Sequence, residues 1–378
     1  MNPDNVGASE LRFAFIGGGS GGHLFPAIAI CHSLLELHPE SRFLFLVSHR
    51  PIDVEVLANS GLPANLLRVH PYVAMAKRQG RVYQLLSLPN WVKAWQNARR
   101  VLAGFHPHVA VGVGSSASVP GMIAASHQKV RLALMEQNTV PGKATQLLSR
   151  RAKLTLAGLP FEDRFSERWR TPIEITGTPV RKEISKFAGQ TDDVWASRSR
   201  LLILGGSQGS ASVNRLILEA LADEHCVPSD WEIIHQTGAS QVKQVSAEYA
   251  RRGRTALVLS FLPKLPELLA TATVVVSRGG ASTIQELACA GRPTILIPFS
   301  GAASNHQMAN AQTLAKVGAA ALVDETAEDA GLQLRFLINT LVKDGQQRQQ
   351  LRQGIRNFSR PEAAMHSARR LIQFAREN

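Results

Sequence analysis

Carboxylates are missing from a long stretch of this chain. Between Val56 and Met135 there is no Asp or Glu, while Arg68, Lys77, Arg78, Arg81, Lys93, Arg99, Arg100, Lys129 and Arg131 all fall inside that window. The 378 residues include 42 Lys or Arg and 29 Asp or Glu, a net charge of +13 that is therefore unevenly placed. A basic face of this kind suits nucleic acid, anionic lipid or an acidic substrate alike. No nucleic-acid recognition module is present, so nucleic acid is not an expected partner. Cysteine is also scarce. Cys31, Cys226 and Cys289 are odd in number, far apart and set in apolar helical contexts, which excludes a disulfide framework and argues for reduced, packed thiols in a cytoplasmic protein. No apolar run approaches the about 18 residues of a membrane span. The polar stretch Met1 to Glu10 lacks the apolar core of a signal peptide and reads as a loose tail, so export is not expected.

Two sequence devices for holding phosphate are absent as well. Neither glycine loop described below is followed by Gly-Lys-Ser/Thr, and no Asp-x-Asp stands at the end of a strand; Asp192-Asp193 lies in a linker. A metal-held diphosphate is not indicated, and no cofactor is expected.

What the chain does have is one device built twice. Gly17-Gly18-Gly19-Ser20-Gly21-Gly22-His23 follows Phe13-Ala14-Phe15-Ile16 and leads into Leu24, Ile28, Cys31 and Leu35, the spacing of one apolar helix stripe. Gly205-Gly206-Ser207-Gln208-Gly209 follows Leu201 to Leu204 and leads into Val213, Leu216, Ile217, Ala220 and Leu221. A strand, a tight turn and a helix start converge unpaired N–H groups and a positive helix end on one point, a site for phosphate. Two such units predict two similar domains facing one ligand.

Apolar runs alternate with helical patterns throughout, which predicts an α/β chain of βαβ units with parallel sheets. Strands are expected at Phe13–Ile16, Phe43–Val47, Val109–Val113, Leu132–Met135 and Leu154–Leu156 in the first half. In the second half they are expected at Leu201–Leu204, Glu232–His235, Ala256–Leu259, Val274–Val276, Thr294–Ile297 and Ala320–Val323. The stretches Thr176 to Arg181 and Lys186 to Arg200 read as crossover and linker, with the cleft there. The expected domains are 1–184 and 185–360, and a last helix beginning at Pro361, with Ala364, Ala368, Leu371, Ile372 and Ala375 on one face, can pack back on either.

Three groups of residues could carry chemistry. Gly17-x-Gly19-x-x-Gly22 matches the dinucleotide fingerprint formally, but the second strand ends Val47-Ser48-His49-Arg50 without the acid that holds ribose; Arg50 keeps a 2′-phosphate cofactor open as the weaker alternative. The stretch from Ser277 to Gln312 is the richest in ligand groups. Ser282 or Thr283 is the expected N-cap of its helix. Glu286, one turn in, either accepts from vicinal ribose hydroxyls or completes a capping box. Finally, His23 stands at a strand's carboxyl end, where a neutral-range pKa suits a base, and Glu136 of Met135-Glu136-Gln137-Asn138 is the rival base. Between Arg81 and Arg99, Tyr83, Leu85, Leu86, Leu88, Trp91, Val92 and Trp95 interleave with cations, which fits either a bilayer headgroup zone or a helix whose tryptophans are core.

Five motifs in order then resemble a known family. They are Gly18 to Pro26, Glu136-Gln137-Asn138, Gly177-Thr178-Pro179-Val180-Arg181, Gly205 to Gly209, and Arg278 to Glu286. Together they are similar to glycosyltransferase family 28, the GT-B enzymes that complete lipid II. The resemblance covers nearly the whole chain and implies two Rossmann-like domains facing a central cleft. The implied reaction is transfer of N-acetylglucosamine from UDP-GlcNAc, with inversion, to the 4-hydroxyl of the muramyl sugar of lipid I, undecaprenyl-diphosphate-MurNAc-pentapeptide. Position by position, it puts Ser20, Gly21 and Gly22 near the donor, with Asn138 and Arg181 on its sugar or phosphates. It puts Ser207 on phosphate, the backbone of Leu262 on uracil, and Ala281, Ser282, Thr283, Ile284, Gln285 and Glu286 on phosphate and ribose, Glu286 on the hydroxyls. Gln307 falls on the sugar, and Asn214 where the family also keeps an asparagine.

The implied place is peripheral, on the cytoplasmic side of the inner membrane, with an anionic surface met by the Lys77 to Arg100 region. Three departures fall on the acceptor half: Ser116 where the family usually has tyrosine, Met135 for histidine and Thr178 for asparagine. A UDP-GlcNAc 2-epimerase, a glycolipid glycosyltransferase and a non-catalytic binder of nucleotide or membrane remain the alternatives.

Overall fold

A computed structural model describes residues 10–18, 21–71, 88–189, 199–206, 209–301 and 305–377. Ser20, Ser207, the Asp192-Asp193 pair and the part of the basic, aromatic stretch within 72–87 lie outside the described residues. The chain divides into two compact units, one of Met1–Val180 with Glu362–Asn378 and one of Arg181–Pro361.

The first unit holds a seven-stranded parallel sheet. Its strands are β1 (Arg12–Ile16), β2 (Arg42–Val47), β3 (Leu67–Pro71), β4 (Val109–Gly112), β5 (Arg131–Glu136), β6 (Leu154–Ala157) and β7 (Ile173–Ile175), in the order β3-β2-β1-β4-β5-β6-β7. A parallel sheet covered on both faces needs apolar residues at every position, and β1 shows why the run Phe13 to Ile16 is uninterrupted. Phe13 and Phe15 enter one buried cluster, Ala14 and Ile16 the opposite one. Phe13, Phe15, Phe43 and Phe45 are fully buried and form a ladder across β1 and β2 with ring centroids 5.2 to 6.5 Å apart. Truncating any one to Ala costs about 3–5 kcal/mol at such a site.

That face is covered by helix Gly21–Leu37 and by the C-terminal helix Ala363–Arg376, whose Ala368, Leu371, Phe374 and Ala375 join the same cluster. Arg370 pairs with Glu174 at 2.6 Å, and Arg131 donates to the carbonyls of Phe374 and Ala375. The terminal helix thus belongs to the first unit.

The second unit repeats the plan with six parallel strands: β8 (Arg200–Leu204), β9 (Glu232–Gln236), β10 (Leu257–Leu259), β11 (Val274–Ser277), β12 (Thr294–Leu296) and β13 (Ala321–Leu322), ordered β10-β9-β8-β11-β12-β13. In each sheet the connection reverses direction beside the first strand, between β1 and β4 and between β8 and β11. Ligands of doubly wound folds bind outside the carboxyl ends of the strands at that switch point.

All eleven expected strands are present, and two more, β3 and β7, sit at the two edges of the first sheet. Arg181, placed in the first domain by the sequence, opens the second unit. Trp91 and Trp95 are half-buried and pack on the cluster beneath helix Leu88–Phe105, so the tryptophans are largely core. Val92, Lys93, Arg99 and Arg100 form the exposed side of that helix.

Candidate active site

At the switch point of the first unit, Gly17 follows β1 with φ 138°, and a Cβ there would lie 2.6 Å from the carbonyl oxygen of Gly114. Only glycine allows the two turns after β1 and β4 to come this close. His23, in the first turn of helix Gly21–Leu37, lays its imidazole against Gly114, where an added Cβ would meet the ring at 2.9 Å. Beneath Gly18 is a group the sequence reading missed. Asp53 is fully buried and takes the hydroxyl of Ser48, and its carboxylate is the nearest group to Gly18. A buried carboxylate on a helix start gave no local pattern to mark it as a support for a loop more than thirty residues earlier.

Glu136, at the end of β5, is buried, and both carboxylate oxygens are occupied. Oε1 accepts from the Asn138 backbone N–H at 3.1 Å and from Asn138 Nδ2 at 3.0 Å. Oε2 accepts from the Gly142 N–H at 2.9 Å and from Thr145 Oγ1 at 2.8 Å. Four donors hold the turn 137–142 around one charge, which presents Asn138 half-exposed beside the strand end. Of the three departures from the family pattern, Met135 packs in the apolar cluster, Thr178 is buried and Ser116 is exposed.

The second unit gathers more of the expected residues. Helix Ala281–Ala290 begins at the N-cap Gly280, and no side chain caps it. The expectation of an N-cap at Ser282 or Thr283 is corrected: both lie inside the first turn, and their half-buried side chains flank uncapped N–H groups at the positive end of the helix. The capping-box alternative for Glu286 fails with it. Its Oε1 instead accepts from Arg181 Nε at 3.1 Å, and the carboxylate side chain is 13% exposed. Burial pushes the Glu286 pKa up, and Arg181 opposes that shift. Ala281, Ile284 and Gln285 are buried; the Gln285 amide is turned inward onto the carbonyl of Phe358. What these three offer a ligand is backbone.

Gly279 comes so close to the helix His306–Ala315 that a Cβ would sit 2.6 Å from the Gln307 carbonyl oxygen, and Asn310 Nδ2 donates to the Gly279 carbonyl. Gln307 is half-buried and its Oε1 accepts from the Phe299 N–H. Leu262, in the loop after β10, is buried and likewise offers backbone. Asn214 is turned inward: Nδ2 donates to the Thr237 carbonyl and to Gln241, and Oδ1 accepts from His235 Nε2 at 3.0 Å. The side chain ties helix Ala211–Ala220 to β9 and makes no surface of its own.

A second group missed from sequence joins these loops. Arg278 donates from Nη1 to Glu325 Oε2 at 2.8 Å and from Nη2 to Ser210 and Ser212, at 2.5 and 2.7 Å, while Glu325 Oε1 accepts from the Ser300 N–H at 2.7 Å. Ser210 caps helix Ala211–Ala220 through the Val213 N–H. One buried ion pair therefore ties together the turns after β8, β11 and β12. The donor partners of Glu325 outweigh its burial and hold its pKa down.

The C-terminal domain of glycosyltransferase family 28 matches residues 200–367 and its N-terminal domain residues 13–156. With two parallel-sheet units of Rossmann order, this defines the class, a GT-B glycosyltransferase of family 28. A UDP-N-acetylglucosamine--N-acetylmuramyl-(pentapeptide) pyrophosphoryl-undecaprenol N-acetylglucosamine transferase of Thermodesulfovibrio yellowstonii is 34% identical over 317 residues, 83% of this chain and 85% of its own. One from Anaeromyxobacter dehalogenans is 31% identical over 362 residues, 95% of this chain and 91% of its own. The crystal structure of Acinetobacter baumannii MurG aligns with a TM-score of 0.76 at 25% identity, covering 96% of this chain and 99% of that one. A UDP-GlcNAc 2-epimerase from Neisseria meningitidis shares the fold alone, with a TM-score of 0.66 at 13% identity over 96% of this chain and all of its own. The chain belongs to the family of these lipid-linked N-acetylglucosamine transferases, the MurG family.

Proposed function

We propose that the protein transfers N-acetylglucosamine from UDP-GlcNAc to the 4-hydroxyl of the muramyl sugar of lipid I, with inversion, in peptidoglycan synthesis. The observation that carries this reading is the pairing of an uncapped helix start at Ala281 with the Arg181-held carboxylate of Glu286, in a chain whose relatives bear that activity in their names. The first supplies N–H donors and positive potential for a diphosphate, the second two acceptor oxygens for ribose hydroxyls. The backbone of Leu262 reads uracil, Ser207 and the amides of Ala281 to Thr283 hold phosphate, and Asn138, Arg181 and Gln307 contact sugar or phosphate. Ser20, Gly21 and Gly22 border the donor from the first glycine loop.

Inversion is a single in-line displacement. The acceptor oxygen attacks the anomeric carbon as the bond to UDP breaks, and a base removes the hydroxyl proton. Charge growing on the leaving diphosphate is stabilised by the helix N-terminus without reorganisation. His23 is the base in this scheme. Glu136, with both oxygens taken by four donors, acts through the turn that presents Asn138.

Among the described residues no helix is long and apolar enough to cross a membrane. The lipid-borne acceptor is met peripherally at the cytoplasmic face, with Lys93, Arg99 and Arg100 on the exposed side of helix Leu88–Phe105 facing anionic headgroups. The test is UDP release from UDP-GlcNAc with and without lipid I, repeated with His23→Ala and Glu286→Ala. Conversion of donor alone would favour an epimerase and overturn the transferase reading.

A further inference from the structure

At the amino ends of β4 and β5, opposite the strands' carboxyl ends, Arg99, His106, His108, Lys129 and Arg131 line a cavity of about 730 Å³ whose wall, among the described residues, contains no carboxylate. We propose that this cavity is a second anion site, for a phosphate-bearing ligand, separate from the donor site.

The argument rests on how the cations are held. Three arginines of the second unit are neutralised by carboxylates, in the pairs Arg181–Glu286, Arg200–Glu232 and Arg278–Glu325. Among the described residues neither Arg99, Lys129 nor Arg131 has a carboxylate partner: Arg99 lies over the Trp95 ring at 5.6 Å, and Arg131 is bound only to carbonyls. Arg131 is pre-oriented, because its Nη1 alone is spent on Phe374 and Ala375, which leaves the rest of the guanidinium as donors. His108 accepts the Arg12 N–H at Nδ1, so its neutral ring keeps Nε2–H as a donor.

Backbone geometry points the same way. Lys129 and His106 have φ of 59° and 50°, two of the four non-glycine residues with positive φ among those described, and both lie in this wall. Lys129 occupies the position just past the cap of helix Ser118–His127, where the Lys129 N–H bonds to Ser126 and the Val130 N–H to Ala125. That arrangement favours glycine. A cation is kept there against the backbone's preference, and such strain concentrates at binding sites.

The probes are inorganic pyrophosphate, measured by calorimetry with the donor site saturated by UDP, and vesicles of phosphatidylglycerol or phosphatidylcholine, measured by co-sedimentation. The variants are Lys129→Gly and Lys129→Arg. Lys129→Gly is expected to weaken binding of pyrophosphate, or of phosphatidylglycerol vesicles only, roughly tenfold. Its Tm should hold or rise, and Lys129→Arg should restore binding. Loss with pyrophosphate assigns a soluble phosphate ligand, and loss with vesicles alone a lipid headgroup. If both probes bind the wild type and Lys129→Gly alike, or bind neither, the proposal is wrong. A fall in Tm without a change in binding would likewise overturn it, because the lysine would then serve only the helix terminus.

Discussion

Arg181 and Glu286 stand 105 residues apart, and the arginine Nε donates to the glutamate Oε1 at 3.1 Å. The carboxylate is mostly buried while the guanidinium is 45% exposed, so a solvent-facing cation covers a poorly solvated anion. In the proposed donor complex, a ribose on the Glu286 oxygens would replace or share this partner and free Arg181 for phosphate.

Glu286→Gln separates function from stability. Losing a charge-assisted acceptor of about 1.5–3 kcal/mol should raise the donor KM roughly tenfold or more. Burial holds the Glu286 pKa above its unfolded value, so the ionised group costs stability at neutral pH, and that cost shrinks as pH falls through the folded pKa. The glutamine variant should therefore melt no lower than the wild type at pH 7.5. Because Arg181 opposes the upward shift, Arg181→Ala should move the acid limb of the donor-affinity profile to higher pH. Isothermal titration with UDP across pH checks both.

His23→Ala and Glu136→Gln should fail differently. Removing a general base lowers kcat about 10²–10⁴-fold and leaves donor affinity and Tm close to wild type. Glu136→Gln turns an amide N–H₂ toward donors it cannot accept from, so the loss of activity should come with a lower Tm. Steady-state kinetics beside thermal melts distinguish the two; matched Tm values for both variants would return Glu136 to candidacy as the base.

Breaking the Arg278–Glu325 pair should be costly. Both side chains are nearly buried, at 11% and 5% exposure, and removing one partner from a buried pair typically costs about 3–5 kcal/mol. Arg278→Met and Glu325→Gln should each lower urea stability on that order and also weaken UDP binding. The double variant should lose less than the sum of the two, because neither then leaves an isolated charge.

His235 sets an acid limit on the second unit. It is fully buried, accepts the Tyr249 hydroxyl at Nδ1 and donates from Nε2 to Asn214, and burial drives its pKa down to about 3. The unfolded imidazole titrates near 6.5, so the stabilisation is complete above that pH. It is lost as pH falls toward 3, by at most about 1.4 kcal/mol per pH unit. His235→Gln should flatten the dependence of the urea midpoint on pH between 7 and 4.5; an unchanged slope would show that other groups control it.

The parts legible in sequence were those written locally. Uninterrupted apolar runs such as Phe13 to Ile16 belong to strands buried on both faces, and the strand-glycine-helix junctions marked both switch points. The two missed strands are edges: β3 carries Arg68, His70 and Pro71 on a half-buried ladder, and β7 is only Ile-Glu-Ile, so neither forms a continuous apolar run. Ser282 and Thr283 point to a cap because Ser and Thr usually take that role, whereas in helix Ala281–Ala290 Gly280 takes it and the first turn has no side-chain cap. Asp53, the Arg278–Glu325 pair and the Arg181 partner of Glu286 depend on which turns the sheet order brings together. Spacing along the chain does not encode that.

The most direct measurement is UDP release by the full chain from UDP-GlcNAc, with and without lipid I. Release that requires lipid I, falls at least a hundredfold with His23→Ala and shows a raised donor KM with Glu286→Gln is the predicted result. Release or epimerisation of the donor without lipid I, or full activity in either variant, would contradict the account.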